Sequence, residues 1–299
     1  MTEYYLATVA PIIRRIRIPL SRDQVLLLLI AVNNLFLGVE TYLAHSISGT
    51  IVPEEWIPIL YGPVAGLILI IIGLIATRNR MTANILGTII FSFNIAVGVL
   101  GSFYHLSRAI LMNAEAGQQV SVPLLVFAPP VMGPITFALL GILGISAAWQ
   151  EVPVGSGSLV LWFGRKLNMP LSKTRAYFLL TGIGVLITVI SSIIDHSHSG
   201  FSNPWTWIPT IFGVFAIAVS LYLGFLEKPE RPDLTVYMIT MLVMMGVGLL
   251  GSLLHISQNL VAEGVIVGER FIRGAPIFAP MLFADMGMLG LIVLLDPGE

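Results

Sequence analysis

Long runs of apolar residues dominate this chain, and its charged residues fall in short clusters between them. A helix that crosses about 30 Å of hydrocarbon needs roughly 20 consecutive apolar residues, and eight runs meet that length. The pattern therefore predicts an all-α integral membrane protein with eight transmembrane helices. The predicted spans are Val25–Leu43, Ile57–Ala76, Asn84–Leu111, Leu124–Ala148, Ala176–Ile194, Trp207–Leu226, Leu234–Leu260 and Ile277–Leu295.

The composition agrees with a multi-pass membrane protein and excludes several kinds of chemistry. Of the 299 residues, 56% are hydrophobic and only 10% are charged, far from the average of a soluble domain. A net charge of −1, with no basic stripe, argues against a nucleic-acid partner. The absence of cysteine excludes disulfides, thiolate zinc sites, iron–sulfur clusters and c-type haem attachment. Histidine, carboxylate, methionine and backbone oxygen remain as metal ligands.

The positive charges predict how the spans are oriented. Cytoplasmic loops carry an excess of lysine and arginine, and a cytoplasmic amino terminus places all but three of the 15 on that side. An even number of spans returns the carboxyl terminus to the same side. We therefore expect a protein of the cytoplasmic (plasma) membrane with both termini in the cytoplasm. The inside cations are Arg14, Arg15, Arg17, Arg22, Arg78, Arg80, Arg165, Lys166, Lys173, Arg175, Lys228 and Arg231, whereas Arg108, Arg270 and Arg273 lie outside.

The two halves of the chain resemble each other at an offset of 150–151 residues. Four matches recur in the same order, which indicates a tandem duplication. Each half holds four spans, so both halves insert with the same orientation and should be related by an axis along the membrane normal. The matches are His45–Gly49 with His196–Gly200, Trp56–Pro58 with Trp207–Pro209, Gly98–Ser107 with Gly248–Ser257, and Phe127–Pro129 with Phe278–Pro280.

This duplication divides the chain into two four-helix bundles and a connection. Residues 1–150 form the first repeat, 151–173 a cytoplasmic linker and 174–299 the second repeat. Within the linker, the apolar run Leu159–Phe163 stands beside Arg165 and Lys166. That combination is typical of a segment that lies in the lipid headgroups, although a simple tether between the bundles is the favoured interpretation.

Four of the five histidines occupy duplicated positions, His45 with His196 and His105 with His255. Each lies 21 or 22 residues from the cytoplasmic start of its helix, roughly 31–33 Å across the membrane at 1.5 Å per residue. All four imidazoles are therefore expected near the outer face. The first and third helices of a four-helix bundle run in the same direction, so the two histidines of each repeat can face each other across the bundle core.

Paired glycines precede the third-helix histidine of each repeat. Gly98 and Gly101 lie seven and four residues before His105, and Gly248 and Gly251 repeat the pattern in the second half. They lie on the histidine's face of the helix and can clear room for a flat cofactor. Paired small residues in a membrane helix also mark close packing against another helix, and the sequence leaves both interpretations open.

Two kinds of metal centre fit the duplicated histidines. A b-type haem needs two axial nitrogens and an apolar slot, and each repeat supplies two imidazoles. A non-haem iron, zinc or copper site needs three or four ligands, commonly including a carboxylate. The acids within or at the end of the spans are Glu40, Asp195 and Asp285, and none of them is duplicated. Asp195 is a neighbour of His196 and can orient it. One arrangement is a single metal at the junction of the halves, with His196, His198, His255 and Asp285 as its ligands. A dinuclear site with all four duplicated histidines is a further arrangement.

The histidines lead to a functional hypothesis with two alternatives. The first is a redox protein that holds haem b near the outer face and exchanges electrons with quinol or an external carrier. A membrane enzyme or transporter with a non-haem metal is the second. The third is a structural subunit whose repeats pack against the subunits of a larger membrane complex.

The predicted orientation can be tested with introduced cysteines, because the chain has none of its own. Gly49→Cys and Ser202→Cys should react with an impermeant thiol reagent added to intact cells. Asn79→Cys lies on the predicted cytoplasmic side and should react only after the membrane is opened. Labelling of Asn79→Cys in intact cells would contradict the orientation and the outer position of the histidines.

Overall fold

The computed structural model describes residues 5–11, 19–47, 49–111, 126, 129–260 and 266–295, and this part of the chain is mainly helical. Apart from three short 3-10 turns, at Pro53–Glu55, Trp162–Gly164 and Pro204–Thr206, its helices are α-helices. These are α1 (Tyr5–Val9), α2 (Arg22–Ser46), α3 (Trp56–Ala76), α4 (Arg80–Leu111), α5 (Met132–Ala148), α6 (Lys173–Ser197), α7 (Trp207–Phe225), α8 (Arg231–Asn259), α9 (Gly268–Arg273) and α10 (Met281–Val293).

Six of the described helices are long and apolar enough to cross a membrane, namely α2, α3, α4, α6, α7 and α8. The fourth and eighth predicted spans are shorter than expected. Helix α5 has 17 residues and α10 has 13, about 25 and 20 Å at 1.5 Å per residue. Prolines before each helix explain the late starts, because the residue before a proline is biased away from helical conformation. The predicted start at Leu124 lies outside the described residues.

The helices pack in the same order in both halves. In the first half α2 contacts α3, α3 contacts α4, α4 contacts α5, and α5 returns to α2. Helices α6, α7, α8 and α10 repeat these four contacts in the second half. Between the halves, α5 packs on α6 and α10 packs on α2, so the fourth helix of each half contacts the first helix of the other.

The first three helices of each half start 151 residues apart, whereas the fourth helices correspond at a different offset. Helices α2 and α6 both have 25 residues and start 151 residues apart. By contrast, Pro134 and Ala138 of α5 make the contacts that Pro280 and Ala284 of α10 make, an offset of 146. The match of Phe127–Pro129 with Phe278–Pro280 is therefore not the alignment that helix packing uses, and its first two residues, Phe127 and Ala128, lie outside the described part.

Close helix contacts occur at equivalent glycines of α4 and α8. A Cβ atom at Gly98 would lie 2.8 Å from Ala138 Cβ and 2.9 Å from Pro134 O. The corresponding distances at Gly248 are 2.7 Å to Ala284 Cβ and 2.8 Å to Pro280 O. Such contacts leave no room for a side chain, so glycine is required there for the helices to approach.

A reciprocal pair of polar contacts joins the halves at the end where α2 and α6 begin. Arg22 Nη1 donates to Thr174 Oγ1 at 2.6 Å, and Lys173 Nζ donates to Asp23 Oδ2 at 2.5 Å. Arg22 and Lys173 are the first residues of α2 and α6, and each reaches the second residue of the other helix. The first helices of the two halves are thereby aligned by buried side chains.

The connection between the halves is a small antiparallel sheet rather than an open tether. Its strands are β1 (Gln150–Glu151), β2 (Ser158–Val160) and β3 (Lys166–Asn168), with β2 between the other two. At the β2–β3 turn Phe163 is 92% exposed. An exposed phenylalanine beside Arg165 and Lys166 is consistent with the predicted headgroup segment.

The glycine contacts can be tested with two neighbouring substitutions in α8. Gly248→Ala should lower the thermal stability of the purified protein, since overpacking of this kind costs about 1–3 kcal/mol. Gly246 is the matched control, because no atom of the described residues lies within 4 Å of a Cβ atom built there. Gly246→Ala should leave the stability unchanged or raise it slightly, as alanine favours helix over glycine. Equal effects of the two substitutions would contradict the packing.

Candidate histidine site

The rings of both predicted histidine pairs lie side by side. The ring centres of His45 and His105 are 5.9 Å apart with planes at 64°, and those of His196 and His255 are 6.4 Å apart at 90°. His45 and His196 are each the residue before the last of their helices. The pairs join α2 with α4 and α6 with α8, the helices that stand diagonally in each bundle.

Backbone carbonyls determine which ring nitrogen carries the proton in three of the histidines. The Nδ1 atom lies 2.8 Å from Thr41 O in His45, 2.9 Å from Pro130 O in His105, and 2.7 Å from Pro276 O in His255. A carbonyl oxygen can only accept, so Nδ1 must donate. In the neutral ring the lone pair is then on Nε2, the arrangement that metal-binding histidines use.

The four glycines do not line an open slot beside the histidines. The faces of Gly98 and Gly101 are filled by α5, and those of Gly248 and Gly251 by α10. Their interpretation as space for a flat cofactor is therefore wrong, and the helix-packing alternative is the one that the structure bears out. The physical reason is that a glycine face attracts a neighbouring helix whenever one is available to pack against it.

Close packing at the glycines nevertheless shapes the site. It brings the start of α5 near enough to α4 for Pro130 O to accept from His105, and the start of α10 near enough to α8 for Pro276 O to accept from His255. These two prolines are again 146 residues apart. The glycines therefore orient the imidazoles indirectly, through the carbonyl that each neighbouring helix presents.

Two charged residues beside the first pair are not among the site residues that the sequence predicts. Glu55 Oε1 lies 4.0 Å from His45 Nε2 and 3.6 Å from Arg108 Nη1. Glu55 belongs to the 3-10 turn before α3, outside the predicted spans that supply the candidate acids. The aligned positions of the second half hold Thr206 and Gln258, so the two pairs differ in their charged neighbours.

The intramembrane acids do not complete a metal site. Asp195 is close enough to His198 and His255 for electrostatic interaction, and Glu40 is similarly close to Asp195. However, the described residues contain no group of three or more histidine, aspartate or glutamate side chains that could hold a metal ion. In that part of the chain the predicted junction site with Asp285 is not assembled, and neither is a dinuclear site.

Asp285 instead pairs with Asn33 between the halves. Asn33 Nδ2 lies 2.9 Å from Asp285 Oδ1 and 2.8 Å from Oδ2. The corresponding contact at the other interface, between α5 and α6, joins Gly184 and Leu139. A Cβ atom built at Gly184 would lie 3.0 Å from Leu139 Cδ2. Asp285 therefore aligns with Leu139 in the packing of the helices, whereas the sequence offset of 151 pairs it with Pro134. One interface is polar and the other apolar, although the helices meet in the same way.

No protein family, curated protein or solved structure matches the chain. In the first half both imidazoles of the pair donate from Nδ1 to carbonyls, and a carboxylate and a guanidinium stand next to them. In the second half His255 donates in the same way.

The polar contact between the halves can be tested with a double-mutant cycle. Asp285→Leu alone should destabilise the protein by about 1–3 kcal/mol, because it leaves the Asn33 amide without its partner. Adding Asn33→Gly copies the Gly184–Leu139 contact and should recover part of the loss. Thermal unfolding in detergent measures all four proteins of the cycle. Strictly additive effects would show that the two side chains do not interact.

Proposed function

We propose that this chain is a multi-pass membrane redox protein with a b-type haem at each histidine pair. In the proposed arrangement, eight spans form two tandem four-helix bundles of the same orientation, with both termini in the cytoplasm. The short helices α5 and α10 complete the bundles. The histidine pairs then lie near the outer face of the plasma membrane, where quinol or an external carrier can exchange electrons with them.

The separation of the rings is the observation that carries this proposal. An iron–nitrogen bond is about 2 Å long and the ring centre lies about 1 Å beyond the nitrogen, so two axial imidazoles place their centres about 6 Å apart. The observed separations are 5.9 Å and 6.4 Å. Both pairs therefore already stand at the distance that one metal atom between them requires.

The number of ligands favours haem over a bare metal ion. A porphyrin supplies four nitrogens itself, so the protein needs to add only two. Each half brings two histidines together, and the described residues hold no set of three or more ligands for a bare ion. A haem would be held by His45 and His105 in one half and by His196 and His255 in the other, and the edge-to-face rings would have to turn for both Nε2 atoms to bind it.

The chain's own groups would tune the two centres differently. The carbonyl bonds from Nδ1 make Nε2 a stronger donor in three of the four histidines. Glu55 adds a negative charge beside the first pair, and Arg108 opposes it, whereas Thr206 and Gln258 are neutral. Because nearby charges shift the reduction potential of a buried centre, we expect the two haems to have different potentials.

One observation favours a non-haem metal in the first half as a second candidate. Glu55 Oε1 lies 4.0 Å from His45 Nε2, so a small movement would bring a carboxylate to the two imidazoles. Two histidines and one carboxylate bind iron, zinc or copper with open positions for other ligands. The second half offers threonine in place of this glutamate, so only one such site would form.

The absorption spectrum of the protein purified in detergent tests the haem proposal. We expect a Soret band and two haems per chain. His105→Ala should remove one centre and leave the other, and His255→Ala should do the reverse. His198→Ala is the matched control, because this histidine is near the second pair but belongs to neither, and it should keep both centres.

Two results would contradict the haem. A colourless protein that contains iron, zinc or copper would favour the second candidate, and Glu55→Gln should then lower the metal content whereas Glu54→Gln should not. A protein with neither pigment nor metal would leave the structural-subunit alternative, with the histidine pairs serving only to join helix ends.

A further inference from the structure

A cavity of about 340 Å³ lies at the end of the bundle opposite to the histidines. It is formed by the starts of α2, α4 and α6 and by the segment that follows α5. Three cationic side chains line it, Arg22, Arg80 and Lys173, together with the acids Asp23 and Glu151. In the proposed orientation this end faces the cytoplasmic leaflet of the membrane.

Arg22 is the most unusual residue of this cavity. Its side chain is only 1% exposed. Nη1 donates to Thr174, and within the part of the chain that the structure describes Nε and Nη2 have no hydrogen-bond partner. Asp23 Oδ1 lies 3.5 Å from Nε, too far for a good bond. A buried guanidinium with two unpaired donors is costly, so these donors require an acceptor.

The neighbouring acid Asp23 forms an ion pair with Arg22 but no short hydrogen bond. Asp23 already accepts from Lys173 Nζ at 2.5 Å and from Tyr177 OH at 3.2 Å. Arg80 is exposed and lines the same cavity, where the side-chain oxygen of Gln150 can accept from its Nη1 at 2.8 Å. Two guanidinium groups are thus available to an acceptor in this cavity, one buried and one exposed.

The cavity also contains an acceptor that lacks a donor. Glu151 Oε1 accepts from the backbone N–H groups of Gly157 at 2.6 Å and Lys173 at 3.0 Å. Its second oxygen, Oε2, is buried and has no hydrogen-bond partner among the described residues. A ligand that satisfies both sides offers acceptors to Arg22 and a hydrogen-bond donor, such as a hydroxyl, to Glu151.

We propose that this cavity binds a phosphate group that carries a hydroxyl. Phosphate oxygens match guanidinium donors in charge and geometry, and the hydroxyl donates to Glu151 Oε2. Two sources share this chemistry, the glycerol-phosphate headgroup of an anionic phospholipid and free hydrogen phosphate. Basic pockets between helices on the cytoplasmic side are typical of headgroup binding, so the lipid is the first source to test.

The test uses the full-length protein in detergent with three probes, phosphatidylglycerol, phosphatidylcholine and inorganic phosphate. Native mass spectrometry and the unfolding temperature report binding. Stabilisation by phosphatidylglycerol alone identifies the lipid, and stabilisation by inorganic phosphate identifies the free ion. Sulfate is a further control, since it carries no proton at neutral pH and cannot donate to Glu151, so it should bind more weakly than phosphate.

Substitutions distinguish this cavity from general surface charge. Arg80→Gln should weaken binding of the effective probe about tenfold, the loss of roughly one charged hydrogen bond. Arg165→Gln removes an exposed cation outside the cavity and should leave binding unchanged. Glu151→Gln should reduce the preference for phosphate over sulfate. Arg22→Gln should abolish binding. If this variant does not fold, the Arg80 and Glu151 variants still show whether the probe binds in the cavity.

Two results would overturn the proposal. If no probe binds in preference to phosphatidylcholine, ordered water satisfies Arg22 and Glu151. If Arg165→Gln weakens binding as much as Arg80→Gln does, the interaction belongs to the charged surface and not to the cavity. Neither result bears on the haem proposal, which concerns the opposite end of the bundle.

Discussion

The architecture depends on the close approach of the fourth helix of each half to the third. Gly98 and Gly248 lack the side chain that would keep α5 and α10 away. The approach brings the carbonyls of Pro130 and Pro276 to a histidine in each half, and this contact determines which nitrogen of the imidazole is available as a ligand. Helix packing and the chemistry of the site therefore have the same origin, which is why both recur in the two halves.

The contacts between the halves combine symmetry with specialisation. The fourth helix of each half packs on the first helix of the other, and Arg22 and Lys173 reach reciprocally across the start of α2 and α6. At the interface of α2 and α10, however, Asn33 and Asp285 replace an apolar contact. A polar pair inside a membrane is expensive and is usually kept for a function, and the apolar version shows that packing alone does not require it.

The interiors of the two bundles differ at three aligned positions. In the first half Asn94 donates to Asn34 at 2.9 Å and Tyr61 donates to Asn94 at 2.5 Å. The aligned residues of the second half are Val185, Met244 and Phe212, which cannot form these bonds. Together with Glu55 and Arg108, this network places polar groups in the first half at positions where the second half holds apolar or uncharged residues, which supports different environments for the two histidine pairs.

The sequence by itself determined the helical membrane class and which histidines pair, because apolar run length and duplicated positions are local and countable. Tertiary structure alone decided three further points: what the glycines contact, that Glu55 stands beside His45, and that the fourth helices align at 146 residues. Each of these depends on how distant helices meet, and a change in loop length between α4 and α5 shifts the offset without changing the contacts. In a sequence, paired glycines on one helix face look the same whether they make room for a cofactor or for another helix. Only the structure shows which neighbour occupies that face.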